Sequence, residues 1–268
     1  MRGLAIALAF LGALARPVMS LDLPEMRQRG KLVAIVAGDP TAPGAQSRFL
    51  AKQGDGFVGI EGEILAGFAR QQKLELEVVY VPSWEMLVPS LLQKKGDLVA
   101  GGMTNTEERR KLIAFTVETF PTRDVVVTRK PHRVVQTIEQ LREEQVGVAV
   151  GTSYVEAVKA AGVPPKNLKI LGDTASTADL MRSGAITATV QGVEFALAPQ
   201  EDDPTVQLGM FLGPPQSIAI GVRKADQELL AALNDYISNL RKTPTWNRLV
   251  VKYFGDRAIE VLRRARGE

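Results

Sequence analysis

Short apolar runs alternate with amphipathic stretches along most of this chain, and this alternation limits its possible folds more than any other feature. A first series of strand, helix, strand, helix and strand is predicted at 31–36, 61–72, 74–81, 83–96 and 97–100. In the first of these helices, Ile64, Leu65 and Phe68 share one face, as expected of a helix that packs on a sheet. The order predicts an α/β fold with a parallel sheet. Residues 38–59, rich in glycine and proline, predict a long loop.

The same alternation restarts in the second half of the chain. Strands are predicted at 124–128, 145–150, 168–171, 185–190 and 217–223, and helices at 137–143, 153–161 and 174–183. Residues 199–215 follow no regular pattern, and two or three helices are predicted between 225 and 266. Two sheets of similar size indicate two lobes with a ligand cleft between them. We assign residues 22–121 with 217–268 to lobe one and 122–216 to lobe two, joined by a hinge of two crossing strands.

The first 20 residues differ from the rest. Arg2 precedes an apolar run from Leu4 to Leu14, and small residues follow up to Ser20, which predicts a secretory signal peptide at 1–20 that is cleaved. The alternative is an uncleaved N-terminal anchor, although the run is short for a bilayer. Because the chain has no cysteine, we expect neither disulfides nor the cysteine-linked anchor of a lipoprotein. The expected location is therefore the periplasm.

Charge excludes some classes of partner. The formal charge is +3, and the predicted signal peptide contains two arginines and no acid, which leaves +3 − 2 = +1. Neither this balance nor any basic stripe with interleaved aromatic residues favours nucleic acid, so we expect no such partner. The share of hydrophobic residues, 45%, is that of a globular protein with a substantial core.

The segment GGMTNTEERR, residues 101–110, directly follows a predicted strand. Open α/β sheets bind ligands beyond the carboxyl ends of their strands. Thr104 and Glu107 fit a capping box, and the helix start that it predicts attracts anions. Gly102 would let a ligand approach the backbone, and Arg109 could pair with a carboxylate. The alternative is an ordinary helix cap with an arginine that faces solvent.

The second half contains a matching segment, VAVGTSYVE, at 148–156. A predicted strand ends there, Gly151 makes the turn, and a helix begins near Thr152. Ser153 and Glu156 again fit a capping box. Each predicted lobe therefore directs a helix N-terminus toward the predicted cleft.

Taken together and in this order, these motifs resemble those of the family 3 extracellular solute-binding proteins, the periplasmic receptors that supply amino acids to ABC transporters. The resemblance covers nearly the whole chain after the signal peptide. Its motifs are GIEGEI at 59–64, WEMLVPSL at 84–91, GMTNTEER at 102–109, GVAVGTS at 147–153 and GVRK at 221–224. The resemblance implies an α/β, two-lobed type II periplasmic-binding-protein fold, with the ligand cleft between the lobes and a two-strand hinge.

The resemblance also implies roles for single residues. Arg109 and Thr104, with the backbone near Gly102, would hold a ligand carboxylate. Thr152 and the helix that begins at Ser153 would hold it from the other lobe. Trp84 would line the side-chain pocket, with packing in the core as the alternative for this residue.

Two places depart from the family pattern. Gly192 stands where the resemblance implies an aspartate that receives the ligand's ammonium. Gln191 or Glu194 could replace that aspartate, or the ligand could have a carboxylate and no ammonium, since a buried ammonium needs an opposite charge. For Glu194, a position on a surface helix is the other alternative. In the first loop, DPTAP at 39–43 replaces an aromatic stretch, and Phe49 is the candidate for an aromatic lid.

We therefore predict a periplasmic receptor that closes on a small carboxylate-bearing solute, an amino acid or related organic acid, and delivers it to an inner-membrane ABC permease. We expect a monomer without cofactor or metal. One alternative is a ligand-sensing module for a membrane partner. Another is an enzyme similar to cyclohexadienyl dehydratases, but for its general acid the sequence offers only Glu194. His132, the single histidine, lies in a predicted loop and supports neither a metal site nor a triad, so we expect no enzyme.

Overall fold

The computed structural model describes residues 22–38, 48–172 and 176–268, with the backbone alone at 198–202. The predicted signal peptide and the 39–43 stretch lie outside the described residues. The described helices are α1 (Leu23–Arg29), α2 (Ile60–Gln72), α3 (Leu87–Leu92), α4 (Glu107–Leu112), α5 (Ile138–Glu143), α6 (Ser153–Ala160), α7 (Thr177–Arg182), α8 (Val193–Asp202), α9 (Gln227–Arg241), α10 (Pro244–Phe254) and α11 (Ala258–Arg266). The described strands are β1 (Lys31–Ala37), β2 (Ala51–Gln53), β3 (Gly56–Val58), β4 (Glu75–Val81), β5 (Leu98–Val99), β6 (Ala114–Phe115), β7 (Phe120–Arg129), β8 (Val146–Ala149), β9 (Leu168–Leu171), β10 (Ala188–Gly192), β11 (Val206–Ile218) and β12 (Gly221–Val222). Within these ranges, no helix combines the length and the apolar character needed to cross a membrane.

The first sheet has the strand order β4-β1-β5-β12-β6. Strands β4, β1 and β5 are parallel, as predicted from the first strand and helix series. β12 comes much later in the chain than the other strands of this sheet. It pairs antiparallel with both β5 and β6, so the sheet is mixed rather than wholly parallel. Helices α2 and α3 pack on this sheet with apolar faces that include the buried Ile64, Leu65 and Phe68.

The second sheet has the order β11-β7-β10-β8-β9, with β10, β8 and β9 parallel and β7 and β11 antiparallel. The prediction of irregular structure at 199–215 was wrong, because the end of α8 and most of β11 occupy this stretch. The register of β11 shifts between Leu208 and Phe211, and again between Leu212 and Gln216. Such bulges break the two-residue alternation that would identify a strand in the sequence.

The predicted loop at 38–59 also contains regular structure, since β2 and β3 form an antiparallel hairpin within it. The hairpin is followed by Gly59, at which the chain crosses itself. A Cβ atom at Gly59 would lie 2.3 Å from the backbone carbon of Phe49, and φ is 94°. Only glycine fits this crossing, and it fixes the start of α2 against the segment that contains Phe49.

The chain passes between the two sheets twice, from β6 to β7 and from β11 back to β12. The two crossings are paired with each other, because the Thr119 amide donates to the Ile218 carbonyl at 2.9 Å and Phe120 lies opposite Ile218. The predicted arrangement of two lobes joined by two crossing strands is confirmed.

The C-terminal helix packs across the assigned lobe boundary. Helix α10 contacts α2 and α9, whereas α11 contacts β7, β11 and α8 of the second half. An aromatic chain follows the same path: the Phe120 ring stacks on Phe254 at 4.8 Å between centroids and meets Phe49 edge-on at 5.8 Å. The division into residues 22–121 with 217–268 and 122–216 stays a prediction, and α11 is the element that contacts the other lobe.

We expect Phe120→Ala to lower the free energy of unfolding by about 3–5 kcal/mol, the usual cost of removing a large buried ring. Phe120 is fully buried at the point where the crossing strands begin. Urea denaturation followed by circular dichroism measures the loss. Ile259→Ala is the control, because this side chain is 80% exposed and its truncation should change stability by less than about 0.5 kcal/mol. Equal stabilities of the two variants would contradict this account of the core.

Candidate functional site

A cavity of about 280 Å³ lies between residues of the two halves of the chain. This volume is at the small end of the range for ligand sites. Seven of the nine predicted site residues line it, namely Trp84, Gly102, Thr104, Arg109, Thr152, Ser153 and Gln191. The two that do not line it are Phe49 and Glu194.

Arg109 lies in the first turn of the short helix α4, and its side chain lines the cavity. Its Nη1 donates to the Thr104 carbonyl at 2.8 Å, and its Nη2 donates to the Gly151 carbonyl of the opposite half at 3.0 Å. Burial lowers the pKa of its guanidinium, which remains the charged form at neutral pH. In the described part of the chain, no carboxylate lies within ion-pair distance of Arg109. The cavity wall therefore carries a half-buried positive charge whose protein partners, among the described residues, are neutral carbonyl groups.

The helix starts on the two walls differ from the predicted capping boxes. α4 is capped by Thr106, whose Oγ1 accepts the Arg109 amide at 3.3 Å, so the cap predicted at Thr104 was wrong. At α6 the N-cap is Thr152, and no side-chain cap bond forms. The Thr152 hydroxyl instead donates to the Ala149 carbonyl at 2.7 Å. Both hydroxyls predicted to bind a ligand still lie on the cavity, because these turns present them there.

The cavity walls formed by the two halves of the chain contact each other directly at two places. The Ser153 hydroxyl lies 3.4 Å from the Thr104 hydroxyl across the cavity. Gly151 rests on the turn at Trp84–Met86, and a Cβ atom there would lie 2.2 Å from the Glu85 amide nitrogen. A side chain at this position is excluded while the walls are together. The structure is therefore that of a closed cleft.

Glu61, which the sequence analysis did not assign to the site, holds the loop that carries Gly102. Its Oε2 accepts the amides of Gly101 at 2.6 Å and Gly102 at 2.9 Å, and its Oε1 accepts the Thr119 hydroxyl at 2.7 Å. The side chain is fully buried, which raises its pKa, while the three hydrogen bonds act in the opposite direction. Because the Gly102 amide is donated to Glu61, it is not free for a ligand. In the sequence, Glu61 could have been identified as a candidate only from its place in the GIEGEI motif, two residues after Gly59.

Phe49 lies behind the cavity instead of over it. It is fully buried, and its ring meets Phe195 at 5.2 Å between centroids. Phe195, on α8, lines the cavity, as do the aromatic side chains of Trp84 and Tyr154. A Cβ atom at Gly102 would lie 2.9 Å from the Phe195 ring and 3.1 Å from the Phe49 ring. Phe195 was not predicted as a site residue, because no helix was assigned to the stretch that forms α8.

Glu194 folds back into the space beside Gly192. A Cβ atom at Gly192 would lie 2.1 Å from Glu194 Oε1, so the carboxyl fills the volume that a side chain at 192 would need. Only 1% of Glu194 is exposed, which excludes the surface-helix alternative. The Thr122 hydroxyl lies 2.9 and 2.8 Å from its two oxygens. Burial raises the pKa of Glu194 to about 8, and the nearby Asp124 also raises it.

Tyr154 links the cavity wall to Gly192, the residue beside this acid. Its hydroxyl accepts the Gly192 amide at 2.9 Å, and its side chain lines the cavity. Burial raises the pKa of the Tyr154 hydroxyl, and Glu194 and Asp124 raise it further. Burial likewise raises the pKa of Asp124 to about 6. Two weakly acidic carboxyl groups therefore lie near the neutral tyrosine of the cavity wall.

His132 contacts none of these residues. Its Nε2 lies 2.6 Å from Glu144 Oε2, and this carboxylate also accepts the Thr187 hydroxyl at 2.6 Å. Neither residue lines the cavity.

Comparison with known proteins gives consistent matches. The family model of bacterial extracellular solute-binding proteins, family 3, matches residues 35–256. The histidine-binding periplasmic protein of Escherichia coli (strain K12) is 28% identical over 230 residues, which cover 82% of this chain and 86% of that protein. The membrane-bound lytic murein transglycosylase F of Desulfosudis oleivorans is 27% identical over 257 residues, 94% of this chain but 54% of that protein, so the chain spans about half its length. A crystal structure of a mutant ArgBP from T. maritima superposes with a TM-score of 0.75 and 27% identity, over 87% of this chain and 99% of the other.

We expect Glu194→Gln to flatten the dependence of stability on pH. The pKa of Glu194 rises from 4.5 to about 8 on folding, so its contribution is fully present below pH 4.5 and is lost as the pH rises through 8. Each pKa unit corresponds to about 1.4 kcal/mol. Urea denaturation at pH 5, 6.5 and 8 should show a steeper loss in the natural protein than in Glu194→Gln.

The exposed Glu156→Gln is the matched control for this experiment and should keep the natural slope. Asp124, with its pKa also raised, remains in both proteins and gives both a residual slope of the same sign. Parallel curves for the natural protein and Glu194→Gln would show that Glu194 is ionised in the folded state.

Proposed function

The chain belongs to the bacterial extracellular solute-binding proteins, family 3, and on this premise we propose that it binds a small carboxylate-bearing solute in the cavity between its lobes. The solute is an amino acid or a related organic acid. The observation that carries this proposal is Arg109, a half-buried guanidinium on the cavity wall whose partners among the described residues are carbonyl groups. A ligand carboxylate would supply the opposite charge that favours a cation withdrawn from bulk water.

The chemistry of the guanidinium suits this role. Arginine has five N–H donors in a planar fork, and two of them are taken by the carbonyls of Thr104 and Gly151. The remaining donors can bind a carboxylate in a charge-assisted pair. The hydroxyls of Thr104, Thr152 and Ser153 lie on the same cavity and would supply neutral donors around the anion.

We further propose that ligand capture is a closure of the two lobes about the paired crossing strands. Arg109 bonds to both halves, and Ser153 meets Thr104 across the cavity, so these contacts would form only as the cleft closes. In this proposal the lobes are 22–121 with 217–268 and 122–216, and α11 contacts both sides of the boundary. A membrane partner would recognise the closed form.

We also propose that residues 1–20 are removed and that the protein acts in the periplasm. There it would deliver its ligand to an inner-membrane ABC permease. This proposal is supported by the family and by the names of the relatives, which include histidine-binding and lysine/arginine/ornithine-binding periplasmic proteins. A sensor that reports ligand binding to a membrane partner would use the same cavity. The two roles differ in the partner that the closed form contacts.

An enzymatic role is less well supported than a receptor role. Glu194 is a buried acid near the cavity whose pKa of about 8 keeps it protonated at neutral pH, and a protonated acid can donate a proton. However, its carboxyl is held by Thr122 in the space beside Gly192, and it does not line the cavity. A general acid must reach its substrate, so this geometry favours binding over catalysis.

We expect Arg109→Ala to abolish carboxylate binding and leave the fold intact. Truncating one partner of a buried charge pair costs about 2 kcal/mol or more, which corresponds to at least about 30-fold in affinity. A thermal-shift screen with amino acids, keto acids and aromatic acids identifies ligands of the natural protein, and the same screen is repeated on the variant. A ligand at about 100 times its dissociation constant adds about 2.7 kcal/mol to the unfolding free energy.

The neighbouring Arg110→Ala is the matched control. Arg110 also lies on α4, but it donates to Asn105 and does not line the cavity. It should keep the full ligand-induced shift. A shift in Arg109→Ala equal to that of Arg110→Ala would overturn the assignment of the site.

We expect Gly151→Ala to prevent closure, because its Cβ would lie 2.2 Å from the Glu85 backbone. Small-angle X-ray scattering with and without a ligand from the screen should show a decrease in radius of gyration for the natural protein but not for Gly151→Ala. Gly184→Ala is the control: its φ is also 73°, so the backbone strain is matched, but no atom lies within 4 Å of its Cβ. Ligand-dependent compaction of Gly151→Ala equal to that of Gly184→Ala would refute the closure contact.

A further inference from the structure

We propose that the ligand of this cavity is a small monocarboxylic acid that has no ammonium group, an inference that rests on the proposed function of the cavity as the binding site. Its basis is the charge of the cavity wall. Among the lining residues that the structure describes, Arg109 is charged and none is an aspartate or glutamate. The other polar groups on this wall are the hydroxyls of serine, threonine and tyrosine, and the amide of Gln191.

Two carboxyl groups act electrostatically on Tyr154 of the cavity wall, but neither is among the groups that line the cavity. Glu194 is 1% exposed, and the Thr122 hydroxyl lies within hydrogen-bond distance of both of its oxygens. Asp124 is 2% exposed, and its Oδ2 accepts the Gln216 amide at 3.2 Å. Burial raises the pKa of Glu194 to about 8, so this carboxyl is mostly neutral at pH 7, whereas Asp124, with its pKa raised to about 6, is mostly ionised there. Asp124 therefore carries a negative charge near this wall, but it does not line the cavity in which an ammonium would lie.

Glu194 is held away from the cavity wall. The Tyr154 hydroxyl, on that wall, accepts the Gly192 amide at 2.9 Å, and the Glu194 carboxyl fills the space beside Gly192. Moving Glu194 toward the cavity would break its bonds with Thr122. Glu194 is therefore part of the fold beside the cavity and not a ligand-binding group.

The energetic consequence separates two classes of solute. An α-amino acid would bring an ammonium into a cavity where the charged side chain among the described lining residues is a cation, and the ammonium would lose its water without gaining an adjacent anion from those residues. An acid without the amine brings a single negative charge that matches Arg109. The Gln191 amide and the hydroxyls can bind a keto or hydroxyl oxygen, because these groups need no countercharge.

The apolar lining residues indicate the chemistry of the part of the ligand beyond its carboxylate. Trp84 and Phe195 line the cavity with the small apolar side chains of Ala149 and Val190. In a cavity of about 280 Å³, this composition fits an acid with a short branched or aromatic body. The proposed class is therefore an apolar monocarboxylate, such as a 2-keto or 2-hydroxy acid, in contrast to the amino acids in the relatives' names.

Isothermal titration calorimetry with matched pairs tests this inference on the chain without residues 1–20. Each series has one carbon skeleton: L-phenylalanine, phenylpyruvate and 3-phenylpropionate, or L-leucine, 4-methyl-2-oxopentanoate and 4-methylpentanoate. We expect the amine-free acid to bind at least ten-fold more tightly than the amino acid in at least one series. Equal or tighter binding of the amino acid in both series would overturn the inference and leave the proposed function standing. If none of the six compounds binds and the thermal-shift screen finds no carboxylate ligand, both the inference and the proposed function would be overturned.

Gln191→Glu provides the matched variant, because it places a carboxylate on the cavity wall with almost no change in shape. We expect it to shift the ratio of affinities by at least ten-fold toward the amino acid. Circular dichroism verifies that the variant folds. An unchanged ratio in a folded Gln191→Glu protein would show that wall charge does not select the ligand, and would refute the argument on which the inference depends.

Discussion

The carboxylate of Glu61 joins three parts of the molecule that the site requires, and the geometry of the first wall depends on it. It accepts the amides of Gly101 and Gly102 at the carboxyl end of β5, and it accepts the hydroxyl of Thr119 on a crossing strand. Since the group is fully buried, losing the Thr119 hydroxyl, or both glycine amides together, would leave an oxygen unsatisfied at the cost of a desolvation penalty. Glu61 therefore fixes the glycine loop relative to the crossing strands, and Thr104 and Arg109 follow directly from that loop. Rigid support of this kind holds binding groups in position without contacting the ligand.

Periodicity and glycine position predicted the order of elements, but not the elements whose form depends on distant partners. Strands β1 and β4 and helix α2 were predicted within one or two residues, because buried faces impose a regular apolar spacing. Strand β11 was missed, because two register shifts remove that spacing. The helix start at 101–110 was misplaced by two residues for a similar reason. Thr104 pairs with Ile218 in an isolated bridge, which holds its backbone extended, so the helix cannot begin before Thr106 caps it.

The site followed from the sequence wherever local motifs position the residues. Trp84, Arg109 and Ser153 all line the cavity, because each lies within a turn whose glycine or hydroxyl could be identified in the sequence. Phe49 and Glu194 do not line it, because their positions depend on packing between segments far apart in the chain. Phe49 fills the core beside Phe120, and Glu194 fills the volume left by a missing side chain at Gly192. No local pattern could have distinguished these buried roles from roles in binding.

In the proposed closure, the carbonyl partners of Arg109 connect ligand binding to the closed form. The half-buried guanidinium donates to two neutral carbonyls, one of which is the Gly151 carbonyl of the other half, and burial lowers its pKa. On separation of the lobes that carbonyl would leave and water would replace it, so an open form would solvate the charge better. A bound carboxylate would reverse this preference, because an ion pair gains more in a low-dielectric closed cavity than in water. In this proposal the guanidinium makes closure with an anion more favourable than closure without one, which is the differential stabilisation that a ligand-driven conformational change requires.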